Sequence, residues 1–281
     1  IEGATVNLES TGADLNLDGT VTSTAGAVTL VASTGIDTAA LVTGANNVTM
    51  TAGSSVNVVT ITATAGDVTI DAGTTFANSG LVQAADDIVI NANTSITTTG
   101  TVDAVAGLTM VSNGTIQTIG TIEGATVNLE STGADLNLDN TVNATSGGVV
   151  LTAATNVDAA TTVTGATAVT ITAGGNVVLA GATTATAGVL TITSDSDDSG
   201  AGDVTATATL SGNDVVISGQ NVSTDNITAD AGDVTINADA AVNLTNVGTG
   251  LTQATGNMTI NGGTTVTVDQ LLAGGDMTIN A

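Results

Sequence analysis

The sequence predicts an all-β chain: a single-stranded parallel β-helix (β-solenoid) of about 14 coils, each of about 20 residues with three short strands. Three observations predict it. An apolar–Thr–apolar pattern returns at a near-constant interval along the whole chain. The composition supplies only narrow side chains for a core. A twenty-letter block is copied almost unchanged.

Segments such as GAVTL, NNVTM, GDVTI, DDIVI and GNMTI carry the pattern. Their first apolar residues fall at Val6, Val28, Val48, Val68, Ile88, Leu108, Val127, Val149, Val169, Leu190, Val215, Val234, Met258 and Met277. The intervals run from 19 to 25 and average just under 21, the length of one β-helix coil. A second apolar group follows each anchor by about eight residues: Leu15 and Leu17, Ile36, Val56 and Val58, Phe76, Ile96, Ile116, Leu136 and Leu138, Val157, Val177 and Leu179, Val242 and Leu244, Val266 and Val268. A third is assigned to Val21, Leu41, Leu81, Val102, Ile119, Val142, Val163, Ile227 and Leu271. Each group alternates with period two, so Val68 should point inward and Thr69 outward. Gly and Asn in the joining TAG, DAG, NG and TG accept the corner conformations.

The 281 residues include no Lys, Arg, His, Cys, Pro, Trp or Tyr, one Phe (Phe76) and 26 acidic side chains, for a formal charge of -26. A narrow coil filled by rows of Val, Ile, Leu and Ala needs no aromatic filler. Pro would remove a ladder donor from every strand it entered. A string of β-sandwiches is the competing architecture for so Thr- and Val-rich a chain. It calls for larger core residues and for linkers, and no linker breaks the interval. Without cations the chain cannot neutralise phosphates, which excludes nucleic acid as a partner. No apolar run reaches the roughly 18 residues of a membrane-spanning helix. The lack of Cys removes disulfides, thiolate catalysis and thiolate metal sites.

The copied block is IEGATVNLESTGADLNLDGT at 1–20, which returns at 122–141 as IEGATVNLESTGADLNLDNT, with Asn140 in place of Gly19. Coils are interchangeable units, so blocks of them can be duplicated and the fold lengthens. The expected organisation is one continuous solenoid over 1–281, a piece of a longer repeat protein. It would contain a duplication of roughly 121 residues (1–121 and 122–243) and a divergent C-terminal part, 244–281. The two copies should form superposable coils six turns apart.

Two intervals are long, and loops inserted at solenoid corners are where binding sites are most often placed. One, between Leu190 and Val215, contains TSDSDDSGAGDV; the other, between Val234 and Met258, contains TNVGTGLTQATGN. In the first, Asp195, Asp197, Ser199 and Gly200 match the opening of a D-x-D-x-S-G calcium loop, although Ala206 stands where a bidentate Glu belongs. The candidate calcium ligands are therefore Asp195, Asp197, Asp198 and Asp203, set against a plain exposed acidic loop. Asp67, Asp87, Asp203, Asp233 and Asp276 each precede an apolar residue that opens a strand, as do Asn47 and Asn257. Stacked coils should bring them to one edge, where like charges repel unless diluted by Asn or screened by divalent cations. The neighbouring pairs Asp86–Asp87 and Asp197–Asp198 could suggest glycosidic hydrolysis, but adjacent strand residues face opposite ways. With no basic or phenolic group available, no catalytic and no cofactor-binding residue is assigned, and the chain is expected not to be an enzyme.

The motif G-[DN]-[VIM]-T-[IL], in GDVTI at 66–70 and 232–236 and GNMTI at 256–260, resembles the repeat region of filamentous haemagglutinin-type large exoproteins, which are bacterial adhesins. The resemblance is one of pattern and composition and covers essentially all 281 residues. It implies a right-handed coil, secretion to the cell surface, and a stalk or fibre body whose host or environmental target is met by other parts of the full protein. The complete lack of Lys and Arg departs from that family. It leaves a self-assembling extracellular filament or surface layer, associating end to end or laterally and stabilised by calcium, as the alternative.

Overall fold

A computed structural model describes residues 1–245 and 251–281. It is all-β, a parallel right-handed β-solenoid of about 14 coils with several short strands per coil. The chain divides into two compact units, residues 1–134 and 135–281.

In the first unit each anchor is the first or second residue of a strand of one sheet: Val6–Ser10, Val28–Ala32, Val48–Ala52, Val68–Ala72, Ile88–Ala92, Gly107–Ser112 and Thr126–Ser131. Neighbours pair in parallel, with Val28, Val48, Val68, Ile88 and Leu108 in one register column as the period requires. All five are buried. Each strand of this first face reads large, large, small on its inner side, for example Val68, Ile70, Ala72. The small residue sits where the chain turns, so the corner closes without a void. Met50 and Met110 stand in the same column as Leu30, Ile70 and Ile90, substitutions of similar volume that a core tolerates. Burying each such side chain contributes about 1.5–3 kcal/mol.

The second unit repeats the plan with Val149–Ala153, Val169–Ala173, Val189–Thr193, Asp214–Gly219, Val234–Ala238, Met258–Gly262 and Met277–Asn280. In both units the strand N–H groups bond to the next coil. Val48 donates to the Asp67 carbonyl and Val68 to the Asp87 carbonyl, each at 2.9 Å.

The second face also begins at the expected residues, among them Leu15–Leu17, Thr75–Asn78, Ser95–Thr98 and Ile116–Thr118. In four coils the second and third strands run together through the corner: Ile36–Gly44, Val56–Ala63, Val204–Gly212 and Val222–Ala229. The third face corrects the sequence assignment. Val42, Val82 and Ile122 are buried there, whereas Leu41 and Ile119 are exposed and Leu81 is half-buried. Ile61, left unassigned, is also buried. Because side chains alternate, a slip of one residue exchanges inside for outside. The Leu–Val pairs at 41–42 and 81–82 offered two candidates each, and the β-branched one faces in.

Corner glycines separate into crowded and open positions. A Cβ on Gly100 would lie 1.7 Å from the Gly80 carbonyl oxygen, and one on Gly120 would lie 1.9 Å from that of Gly100. At Gly19 a Cβ meets nothing within 4 Å. The one letter that differs between the copied blocks therefore lies where a side chain costs nothing. The expected insertion at 245–257 includes 246–250, which lie outside the described residues.

Candidate functional site

The acidic and amide residues at the corners do more than dilute charge. Several stand at the start of a strand, where the side-chain oxygen accepts the backbone N–H of the equivalent residue one coil on. On the edge leading into the first face, Asn47 Oδ1 accepts from Asp67 (3.1 Å), Asp67 Oδ1 from Asp87 (3.2 Å) and Asp87 Oδ1 from Gly107 (2.7 Å). The second unit repeats this with Asp214 to Asp233 (2.8 Å), Asp233 to Asn257 (2.6 Å) and Asn257 to Asp276 (2.9 Å). Each of these corner N–H groups thereby has an acceptor. Asp and Asn serve equally, because only the carbonyl-type oxygen is used.

The expectation of a single edge is corrected. Asp203 belongs to a second one, leading into the second face. There Asp135 accepts from the Asn156 N–H (3.0 Å), Asn156 from Asn176 (2.9 Å) and Asn176 from Asp203 (2.9 Å). Asp203 in turn accepts from Asn221 Nδ2 at 2.8 Å. In the first unit Asp14 accepts from the Thr34 hydroxyl (2.6 Å) and the Gly35 N–H (2.8 Å). The Thr34 hydroxyl, then the Gly35 N–H, hold the Asp14 carboxyl below the usual carboxylate range. Asp135 is lowered in the same way, by the Thr155 hydroxyl first and by Asn156, against a partial burial that works the other way.

Between the strands Val189–Thr193 and Val204–Gly212 the chain makes an excursion closed at its neck by the buried Ser194 hydroxyl, which donates to the Gly202 carbonyl at 2.7 Å. Asp195 and Asp198 take left-handed backbone angles (φ 55° and 58°), as does Gly200 (φ 75°). Asp195 turns its carboxylate back onto the loop, accepting from the Ser199 hydroxyl (3.1 Å) and the Gly200 N–H (3.0 Å). Burial pushes its pKa up, but these bonds, with the Ala201 N–H, outweigh it and the net shift is downward. Asp197 accepts only from the Ser199 N–H at 3.3 Å, and Asp198 is exposed. Asp195 and Asp197 thus meet at Ser199, while Asp203 serves the corner ladder.

A separate group of carboxylates also converges. Asp67, Asp86 and Asp87 each place a carboxylate oxygen within 4.8 Å of the others, the one such trio among the described residues. Asp67 is half-buried and the other two are exposed. Three hard oxygens at this spacing could hold a divalent cation. The sequence carried part of the signal, since 67 and 87 are one period apart. Asp86 was set aside because neighbours on a strand diverge, but it lies in the corner before the Ile88–Ala92 strand, where that rule does not apply.

A groove of about 410 Å³ runs beside the second face, lined by Asp37, Asn57, Val59, Ser79, Thr97 and Thr99. No helix among the described residues is long and apolar enough to cross a membrane. Compared with protein-family models, curated proteins and solved structures, the chain matches none.

Proposed function

We propose that this chain is a non-catalytic structural segment, the stalk or fibre body of a large secreted bacterial cell-surface adhesin, acting outside the cell by length and stiffness. The observation behind this reading is sameness. Coil after coil repeats one register and one aliphatic interior, in a chain with no cationic, imidazole, thiol or phenolic side chain to serve as base, nucleophile or anion clamp. The pattern-level resemblance to haemagglutinin-type repeats supports the surface location, and the charge of -26 keeps neighbouring copies apart.

Removing residues 28–47, one full period, from the surface protein tests the spacer role. The shortened chain should fold and retain attachment, with its reach reduced by about 4.8 Å. Loss of attachment by a folded, shortened chain would show that a site in those coils, and not length, is responsible.

The trio at Asp67, Asp86 and Asp87 favours a second reading, a calcium-stabilised filament or surface-layer segment. Calorimetric titration with calcium separates the two. Micromolar binding abolished by the triple variant D195N/D197N/D203N would assign a calcium-dependent module to the 195–203 loop, and binding abolished by D67N/D86N would assign the ion to the trio. No heat and an unchanged melting temperature favour the plain spacer.

A further inference from the structure

The inner column at the end of the second-face strands is apolar in most coils, with isolated threonines at Thr38 and Thr224 and one run of three consecutive polar residues. In parallel register it runs Leu17, Thr38, Val58, Asn78, Thr98, Thr118. Asn78, Thr98 and Thr118 are at most 3 % exposed. Asn78 uses its amide Nδ2, which donates to the Gly80 carbonyl at 2.7 Å. Its Oδ1 and the hydroxyls of Thr98 and Thr118 have no protein partner. Three buried oxygens in adjacent coils, on one column and unsatisfied by protein, are a costly arrangement that native structures resolve with ordered water.

Successive coils are about 4.8 Å apart. Neighbouring-coil hydroxyls can bond directly where their rotamers converge, as Ser54 and Thr74 do at 3.3 Å, but Asn78 Oδ1, Thr98 and Thr118 do not, and oxygens one coil spacing apart suit a water at about 2.8 Å from each. We propose that these coils enclose a file of two bound waters, one between Asn78 and Thr98 and one between Thr98 and Thr118. Asn78 Oδ1 can only accept, so the first water donates to it, and each Thr hydroxyl can donate to one neighbour in the file while accepting from another, so all three oxygens are satisfied. Each bond polarises the next in the low-dielectric interior. Thr38 is an internal control: its hydroxyl is likewise buried and unpartnered, but Val58 separates it from the file.

Thr→Val is nearly isosteric and removes only the hydroxyl. In the full chain, Thr98→Val should break both bridges and lower the melting temperature, and Thr118→Val should break one. The double variant should lose less than the sum of the two, because Thr98→Val already removes the water that Thr118 holds. Thr38→Val should leave the melting temperature unchanged or raise it. Water-to-methyl cross-relaxation in NMR should report long-lived water at the Thr98 and Thr118 methyls. Stabilisation by Thr98→Val and Thr118→Val that simply adds, with no water contact at either methyl, would mean the hydroxyls are dry and would overturn the proposal.

Discussion

Residues 1–10 and 122–131 are the same ten letters, yet they differ in burial. Ile1 is 60 % exposed and Ile122 is fully buried; Leu8 is half-buried and Leu129 fully buried. Both copies form the same strand to within a residue, Val6–Ser10 and Thr126–Ser131, with Val6 and Val127 inward. What differs is the coil underneath. Val102, Leu108 and Met110 lie in register below Ile122, Val127 and Leu129, whereas residues 1–10 have a described neighbour on one side only, through Val28 and Leu30. A coil's sequence sets its local shape, and its neighbours set how much of it is buried. Stability in such a chain belongs to interfaces between coils more than to coils.

Four variants sharpen that comparison. The largest effect is expected from Val127→Asp, a charge placed against the covered aliphatic row of Leu108 and Met110 with no cation to meet it. It should cost several kcal/mol and release amide-exchange protection in the coil beneath. In residues 1–281 expressed by themselves, Val6→Asp should fray the first of these coils and leave exchange elsewhere unchanged. Equal loss of protection at both would mean that a coil's own sequence, not its neighbours, decides.

The next effect is the acid response at Asp14 and Asp135, the same letter of the two blocks. Both carboxyls titrate below the ordinary 3.8 when folded. Their contribution is therefore complete above about pH 4 and is lost as pH falls through the lowered values. The D14N/D135N variant keeps an oxygen acceptor but has nothing to protonate. Its melting temperature should fall less steeply than the parent's below about pH 4, while charge relief elsewhere acts on both proteins alike. Parallel acid curves would show that these bonds contribute nothing. The smallest effect is Gly19→Asn, which makes the copies identical at a corner with open space; it should change stability by no more than about 0.5 kcal/mol.

Much of the fold was legible because it is periodic. Fourteen anchors located the first face, and the inward position of Val68 followed from alternation alone. What periodicity could not supply was one-residue register where two apolar letters adjoin, as at Leu41–Val42. Nor could it distinguish the two edges, because Asp203 and Asp233 look alike in sequence and differ only in which strand they precede. The role of the corner Asx residues was read as repulsion, since a charge is visible in the letters and an accepted N–H is not. Asp86 converges on Asp67 through corner geometry, which no strand rule describes.

The bonds from Val48 to Asp67 and from Val68 to Asp87 have a mechanical consequence. Coils joined only to the coils above and below come apart under axial tension one at a time, like turns leaving a spool. A coil of about 20 residues occupies about 4.8 Å in the stack but spans about 65–70 Å when drawn out. Each release therefore lengthens the chain more than tenfold locally and drops the load before the next coil is strained. With no cysteine to lock a turn in place, a released coil can rewind on the exposed row of its neighbour. Stiff at rest, such a segment would yield under a sudden pull in repeated, nearly equal steps.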